Sequence, residues 1–157
     1  MVILSLCVCG CIDAFAQFSG SQVEPTVVTI PYDDSSGEIV LPGQINLYRI
    51  KAYFSVTSSL CTISSIQASL FLHDGVIKQE YIKGEVNSGT VSVGSRITIP
   101  RLYLGSVPFS NVRFVVSDNA SFPITVSYKL LEYKGRLYVD PDSKKFIMVS
   151  VPSGFSL

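Results

Sequence analysis

From residue 25 onward apolar side chains recur at every second position, and this alternation constrains the fold more than any other feature of the chain. Over Leu47–Val56, Tyr48, Ile50, Ala52, Phe54 and Val56 alternate with Arg49, Lys51, Tyr53 and Ser55. A period of two puts the two sets on opposite faces of a strand, whereas a helix needs a period near 3.6. The pattern returns in Thr26–Tyr32, Glu38–Leu41, Ile66–Leu72, Val76–Lys83, Thr90–Pro100, Asn111–Ser117, Phe122–Tyr133, Arg136–Val139 and Lys145–Val151. Turn-forming clusters punctuate it: Asp33–Gly37, Pro42-Gly43, His73-Asp74-Gly75, Lys134-Gly135 and Asp140-Pro141-Asp142. Glycine there accepts the positive φ of a tight turn, and proline cannot continue a ladder.

Roughly eight to ten strands without a helical period predict an all-β fold. Thr57–Ser65 and Leu102–Ser110 read as connections too long for hairpins, so strands are expected to cross between sheets. The expected architecture is therefore an antiparallel two-sheet sandwich of jelly-roll type. Its domain is placed at residues 25–157, behind an apolar segment (1–16) and a polar linker (17–24).

Residues 2–12 are apolar apart from Ser5 and Gly10 and hold three of the four cysteines, Cys7, Cys9 and Cys11. Several uses of this segment are open. Ala14-Phe15-Ala16 before Gln17 has the form of a signal-peptidase site, although no basic residue precedes the apolar core. Val8-Cys9-Gly10-Cys11 is similar to a lipobox. Eleven residues are too few for a helix to span a bilayer, which needs ~20, so only shallow anchoring is available. The last use is as a retained arm packed on a neighbouring subunit. Alternate cysteines would share one face of a strand, but the usual zinc spacing is absent, and no metal is expected. Cys61 alone lies in the body, so no disulfide framework holds the domain.

The charge balance, 12 basic against 12 acidic residues, leaves no electrostatic footprint for nucleic acid. Apolar residues make up 47% of the chain, too many for a disordered segment. Chemistry is sparse. The one histidine, His73, sits beside Asp74 in an expected turn, and no nucleophile-elbow serine accompanies it. Asp33 and Asp34 are neighbours whose side chains point apart, a weak basis for acid–base work. Asp140-Pro141-Asp142-Ser143 lacks the glycine and closing glutamate of a calcium loop. No phosphate-binding loop or cofactor motif is present. Asn119-Ala120-Ser121 is a glycosylation sequon, usable only on an exported chain. The tyrosines could line a sugar platform, but alternate positions assign several of them to the core. No catalytic residue, cofactor, metal or small-molecule substrate is expected, and hence no enzyme.

In length, strand count and crossovers, residues 25–151 resemble the single jelly-roll capsid and decoration proteins of bacterial and archaeal viruses. The resemblance implies a self-assembling virion subunit whose partners are copies of itself and other structural subunits. Val2, Ile3, Leu4, Leu6 and Val8 of the arm, with Val27, Val28 and Ile30 of the first strand, would carry assembly. The arm would reach a neighbour or, through residues 2–12, an internal lipid membrane. Two alternatives are an exported subunit of an extracellular pilus assembled by donor-strand exchange and a secreted glycan-binding module.

Overall fold

The computed structural model of the chain describes residues 24–119 and 121–151. Val27–Ser150 forms one compact unit; the other, Met1–Thr26 with Val151–Leu157, contributes only residues 24–26 and 151 to the description. The apolar segment, with Val2, Ile3, Leu4, Leu6 and Val8, and nearly all of the linker lie outside the described residues.

The chain is mostly β, as the alternation requires. Six strands close into a barrel in the order β2 (Val40–Ile45), β3 (Tyr48–Ser55), β10 (Ile124–Ser127), β4 (Cys61–Ile63), β9 (Val107–Val116) and β8 (Arg96–Leu104), with β8 returning to β2. The short β5 (Ile82–Lys83) pairs with the start of β8, while β6 (Val86–Asn87) and β7 (Thr90–Val91) pair with each other. A separate three-stranded sheet runs β1 (Thr26–Pro31), β12 (Lys145–Ser150), β11 (Arg136–Asp140).

This differs from the expected jelly-roll sandwich in two ways, and both arise from non-local pairing. First, β2 pairs along its length with β3 and, at Gly43 and Gln44, also with Leu104 and Tyr103 of β8. Glycine is required at that closure. A Cβ on Gly43 would stand 2.8 Å from Ile50 Cγ1 and 3.3 Å from the Tyr103 carbonyl oxygen, and strand glycines commonly mark such close approaches. Second, two ladders are parallel rather than antiparallel: β10 with β3, and β4 with β9. β3 and β4 are consecutive in the chain, yet β10 lies between them. The loop 56–60 must therefore cross from one side of β10 to the other.

Several predicted strands are something else. Ile66–Leu72 lies in a helix, α1 (Ser65–His73), capped by Ser64, whose hydroxyl accepts from the Gln67 amide at 3.0 Å. Ala68 and Phe71 of α1 are buried while Ile66 and Leu70 are exposed, so the two-residue alternation there does not define a face. Phe122–Tyr133 divides at Ser127. Its first part is β10, and its second is the short helix α2 (Tyr128–Glu132), where Ser127 Oγ accepts from the Lys129 amide at 3.1 Å. Val76–Lys83 contains a 3₁₀ turn at Gln79–Tyr81. Thr90–Pro100 breaks at Gly94, whose φ is +90°. Leu102–Ser110 is no crossover: Leu104 pairs with Val107 across a tight turn at Gly105, φ +61°.

The core comprises the inward positions of the barrel strands together with Phe71 and Leu131 of the helices and Phe146 of β12. Phe146 is the aromatic link between the three-stranded sheet and the barrel, 5.0 Å from Tyr32 and 4.6 Å from Phe54 between ring centroids. Of the first-strand residues assigned to assembly, Ile30 is fully buried, Val28 half-buried and only Val27 exposed. Ile30 is thus a core residue.

The aspartates at the turns have structural partners. Asp33 Oδ1 accepts from the Ser35 amide, and Asp140 from the Ser143 hydroxyl and the amides of Asp142 and Ser143. The Ser35 amide holds the Asp33 carboxyl below its ordinary 3.8, and Ser143 does the same for Asp140. A carboxyl whose folded pKa is depressed stabilises the fold above its unfolded pKa, and loses that contribution as pH falls through the folded value. The chain is therefore expected to lose stability as pH drops below 3.8. A double variant, Asp33→Asn with Asp140→Asn, should lose less over the same range, measured by urea unfolding at successive pH values. Equal losses in both proteins would contradict these roles.

Candidate functional site: a groove beside the crossover loop

The crossing of loop 56–60 over β10 gathers hydroxyl groups at one end of the barrel. Ser127 ends β10 in register with Ser55, which ends β3. Ser55 Oγ accepts from the Ser58 amide at 3.0 Å and fixes the turn out of β3. Ser127 is 1% exposed; its hydroxyl donates to the Ser58 carbonyl at 2.6 Å while capping α2. Its amide donates to Cys61 Sγ at 3.4 Å. One serine therefore joins the loop, β4 and α2. Burial pushes the Cys61 thiol above its ordinary 9.0, against the opposing Ser127 amide. Cys61 thus remains a thiol at neutral pH and is a poor nucleophile.

Beside this junction lies a groove of about 570 Å³, within the size range of ligand sites. One wall is the loop end Ser59–Cys61, a second is residues 109–113 of β9, and the third is α2 with Tyr133 and Lys134. The β9 wall exists because β4 is so short. β4 meets β9 only over Phe114–Val116, while β8 pairs with β9 on the other side along its length. Among the described residues, no strand covers that edge of β9 from Phe109 to Arg113. Opposite this stretch Pro100 offers no N–H, the ladder skips the Pro100–Asn111 pair, and Asn111 takes φ +52°. Ser110 and Asn111 are both exposed, breaking the strand's alternation.

The groove's chemistry is one-sided. Leu60, Phe109, Val112 and Leu130 give it apolar surface; Arg113, Lys129 and Lys134 give it cations; among the described residues no Asp, Glu or His lines it. Lys134 Nζ stands over the Phe109 ring at 5.2 Å, a cation–π arrangement that holds the ammonium at the wall. His73 is exposed and, among the described residues, has Asp74 as its polar partner, at 3.1 Å. Asp33, bridged to Val40, Asp34, Asp140 at the end of β11 and Asp142 are not among the lining residues, and Asn119 is exposed. None of the described residues assigned to assembly lines the groove. Among the described residues no group of three or more His, Cys, Asp and Glu is placed to hold a metal.

The fold has solved counterparts among retropepsin-like aspartic proteases. The structure of such a protease from Rickettsia conorii superposes with a TM-score of 0.54 at 14% identity, over 83% of this chain and 97% of that one. The retroviral protease-like domain of Ddi1 from Leishmania major gives 0.46 at 13% identity, over 81% and 100%. No protein-family model and no curated protein matches the sequence.

The Rickettsia likeness shows that the chain has the fold of a retropepsin-like protease. It overturns the resemblance to jelly-roll virion proteins and the readings built on it: the capsid or decoration subunit, the pilus subunit and the glycan-binding module. It equally overturns the expectation that the chain is no enzyme, since this fold carries one. Strand count and length did not discriminate, because both architectures use many short strands. The order of pairing separates them, with β10 between β3 and β4 and β8 returning to β2.

The likeness leaves the chemistry of this chain's own site to its residues. An aspartic protease uses two carboxyls close enough to share a proton, which raises the pKa of one of them. Residues 55–61, the loop with the strand residue on either side, read Ser-Val-Thr-Ser-Ser-Leu-Cys, without a carboxylate. The two described carboxyls with displaced pKa values, Asp33 and Asp140, are shifted down by hydrogen bonds. That is opposite in sign to the raised partner of a shared-proton pair.

Proposed function

We propose that this chain acts on polypeptide, holding an extended segment in the groove by adding it as a strand to the open edge of β9. The uncovered run from Phe109 to Arg113 carries the reading. Strand addition takes its affinity from main-chain hydrogen bonds and its selectivity from pockets for alternate side chains, and a β9 wall facing apolar surface from α2 and loop 56–60 supplies both. The retropepsin-like fold supports the same ligand class, because the Rickettsia protein is a protease. The described residues supply binding groups in the groove, namely an open strand edge, hydroxyls and cations, and no pair of carboxyls.

The test is fluorescence anisotropy with a labelled mixture of random-sequence decapeptides, run beside the same mixture N-methylated at alternate residues. The ordinary peptides should bind saturably, and the methylated ones at least about tenfold more weakly, having lost the donors of a ladder. Equal binding of the two mixtures, or none, would overturn strand addition. Mass spectrometry of the same samples reads cleavage. Hydrolysis with an acid optimum would assign the chemistry to carboxyls other than the groove's lining residues.

A further inference from the structure

The charges around the groove say which polypeptide fits. Arg113 projects from β9, Lys129 from α2, and Lys134 from the turn that follows α2. Three elements thus bring cations to one groove in a chain whose basic and acidic residues number 12 each. Among the described residues none of the three forms an ion pair: the pairs present are His73–Asp74, Lys78–Glu80 and Lys144–Asp34. Glu132 shares α2 with Lys129 but does not line the groove. Uncompensated cations beside apolar surface favour an anionic occupant, and the low-dielectric walls strengthen that preference over a flat surface.

Resting on the strand-addition reading, we infer that the groove selects an acidic segment, with Asp or Glu side chains at alternate positions facing Arg113, Lys129 and Lys134. Alternate residues of an added strand point to one face, so acids at every second position meet the cations while the intervening residues point away. The groove's apolar surface, from Leu60, Phe109 and Leu130, lies against their methylenes. Two of the three cations stand over aromatic rings, Lys134 over Phe109 at 5.2 Å and Lys129 over Tyr128 at 6.0 Å.

The experiment compares two labelled decapeptides, one alternating Glu with Thr and the other with Gln in place of Glu, at 50 and 500 mM NaCl. The acidic peptide should bind about tenfold more tightly at low salt, and most of that advantage should vanish at high salt as screening shortens the reach of the cations. In the Lys129→Glu, Lys134→Glu double variant the preference should disappear or reverse. Lys129→Gln, Lys134→Gln is the second variant should charge reversal disturb folding, which circular dichroism reports. Equal binding of both peptides, with N-methylation still weakening each, would overturn the acidic preference and leave strand addition standing. Failure of both peptides to bind, while the random mixture binds, would also overturn it. Failure of every peptide overturns both readings. An acidic preference unchanged by either double variant would place the recognition elsewhere and overturn the assignment.

Discussion

Phe146→Ala is expected to destabilise the domain by about 3–5 kcal/mol, the range for deleting a buried phenylalanine. Phe146 is 1% exposed, and its ring meets Tyr32 and Phe54, so truncation removes packing from the three-stranded sheet and the barrel together. The cavity cannot close by moving one side chain, because its walls come from separate segments, Tyr32 just after β1 and Phe54 of β3. Domains of this kind are stable by about 5–15 kcal/mol in all, so the loss is roughly a fifth of the total or more. Urea unfolding should show a lower midpoint with an unchanged slope. Phe146→Leu keeps most of the volume and should cost roughly half as much or less. A loss below about 1 kcal/mol for the alanine variant would mean that Phe146 does not tie the two sheets together.

The second large effect is expected at Gly135, the turn from α2 into β11. Its φ is +138°, a region essentially closed to other residues, and an added Cβ would collide with the carbonyl group of Val149 on β12. Backbone strain of ~1–3 kcal/mol and overpacking of similar size act together, so Gly135→Ala should cost on the order of 2–5 kcal/mol. Gly75 supplies the control. It also has positive φ, +74°, but an added Cβ meets nothing within 4 Å. Gly75→Ala should cost only about 1–2 kcal/mol, the conformational part alone. Equal costs at the two sites, read from thermal or urea unfolding, would contradict the close packing of α2's exit against β12.

The strands were legible in the sequence where one face is buried and the other is wet. In β3, Ile50 and Ala52 face the core as the alternation requires, and the turns at Gly75 and Gly135 fall where glycine takes positive φ. The helices were not, because α1 carries Ile66, Ala68, Leu70 and Leu72 at strand spacing. The signal against a strand was local: Ser64 three residues before Gln67, the spacing of a capping box. Ser127 gives a weaker cue of the same kind for α2. Barrel closure and the insertion of β10 between β3 and β4 join residues some seventy positions apart, such as Tyr53 with Thr125, and no local pattern encodes such a pairing.

The groove was hidden for a related reason. Arg113, Lys129 and Lys134 are separated in the chain, and each reads singly as a solvated charge. Their convergence depends on β4 stopping after Ile63 and on Ser127 turning the chain into α2. One trace was visible: Ser110-Asn111 places two polar residues in succession inside an alternating strand, at the stretch that faces the groove. The apolar run Val2–Val8, more conspicuous in the sequence, lies outside the described residues, and Ile30 is core.

Hydrogen exchange of the β9 amides in the presence and absence of saturating random-sequence decapeptides tests the central claim most directly. Amides in 109–113 that point away from β8 have no strand partner among the described residues and should exchange quickly in the free chain. An added strand should slow them by about tenfold or more while leaving the β8-paired amides unchanged. Unchanged exchange throughout 109–113 at saturation would contradict the account, because a polypeptide bound elsewhere would leave that edge open.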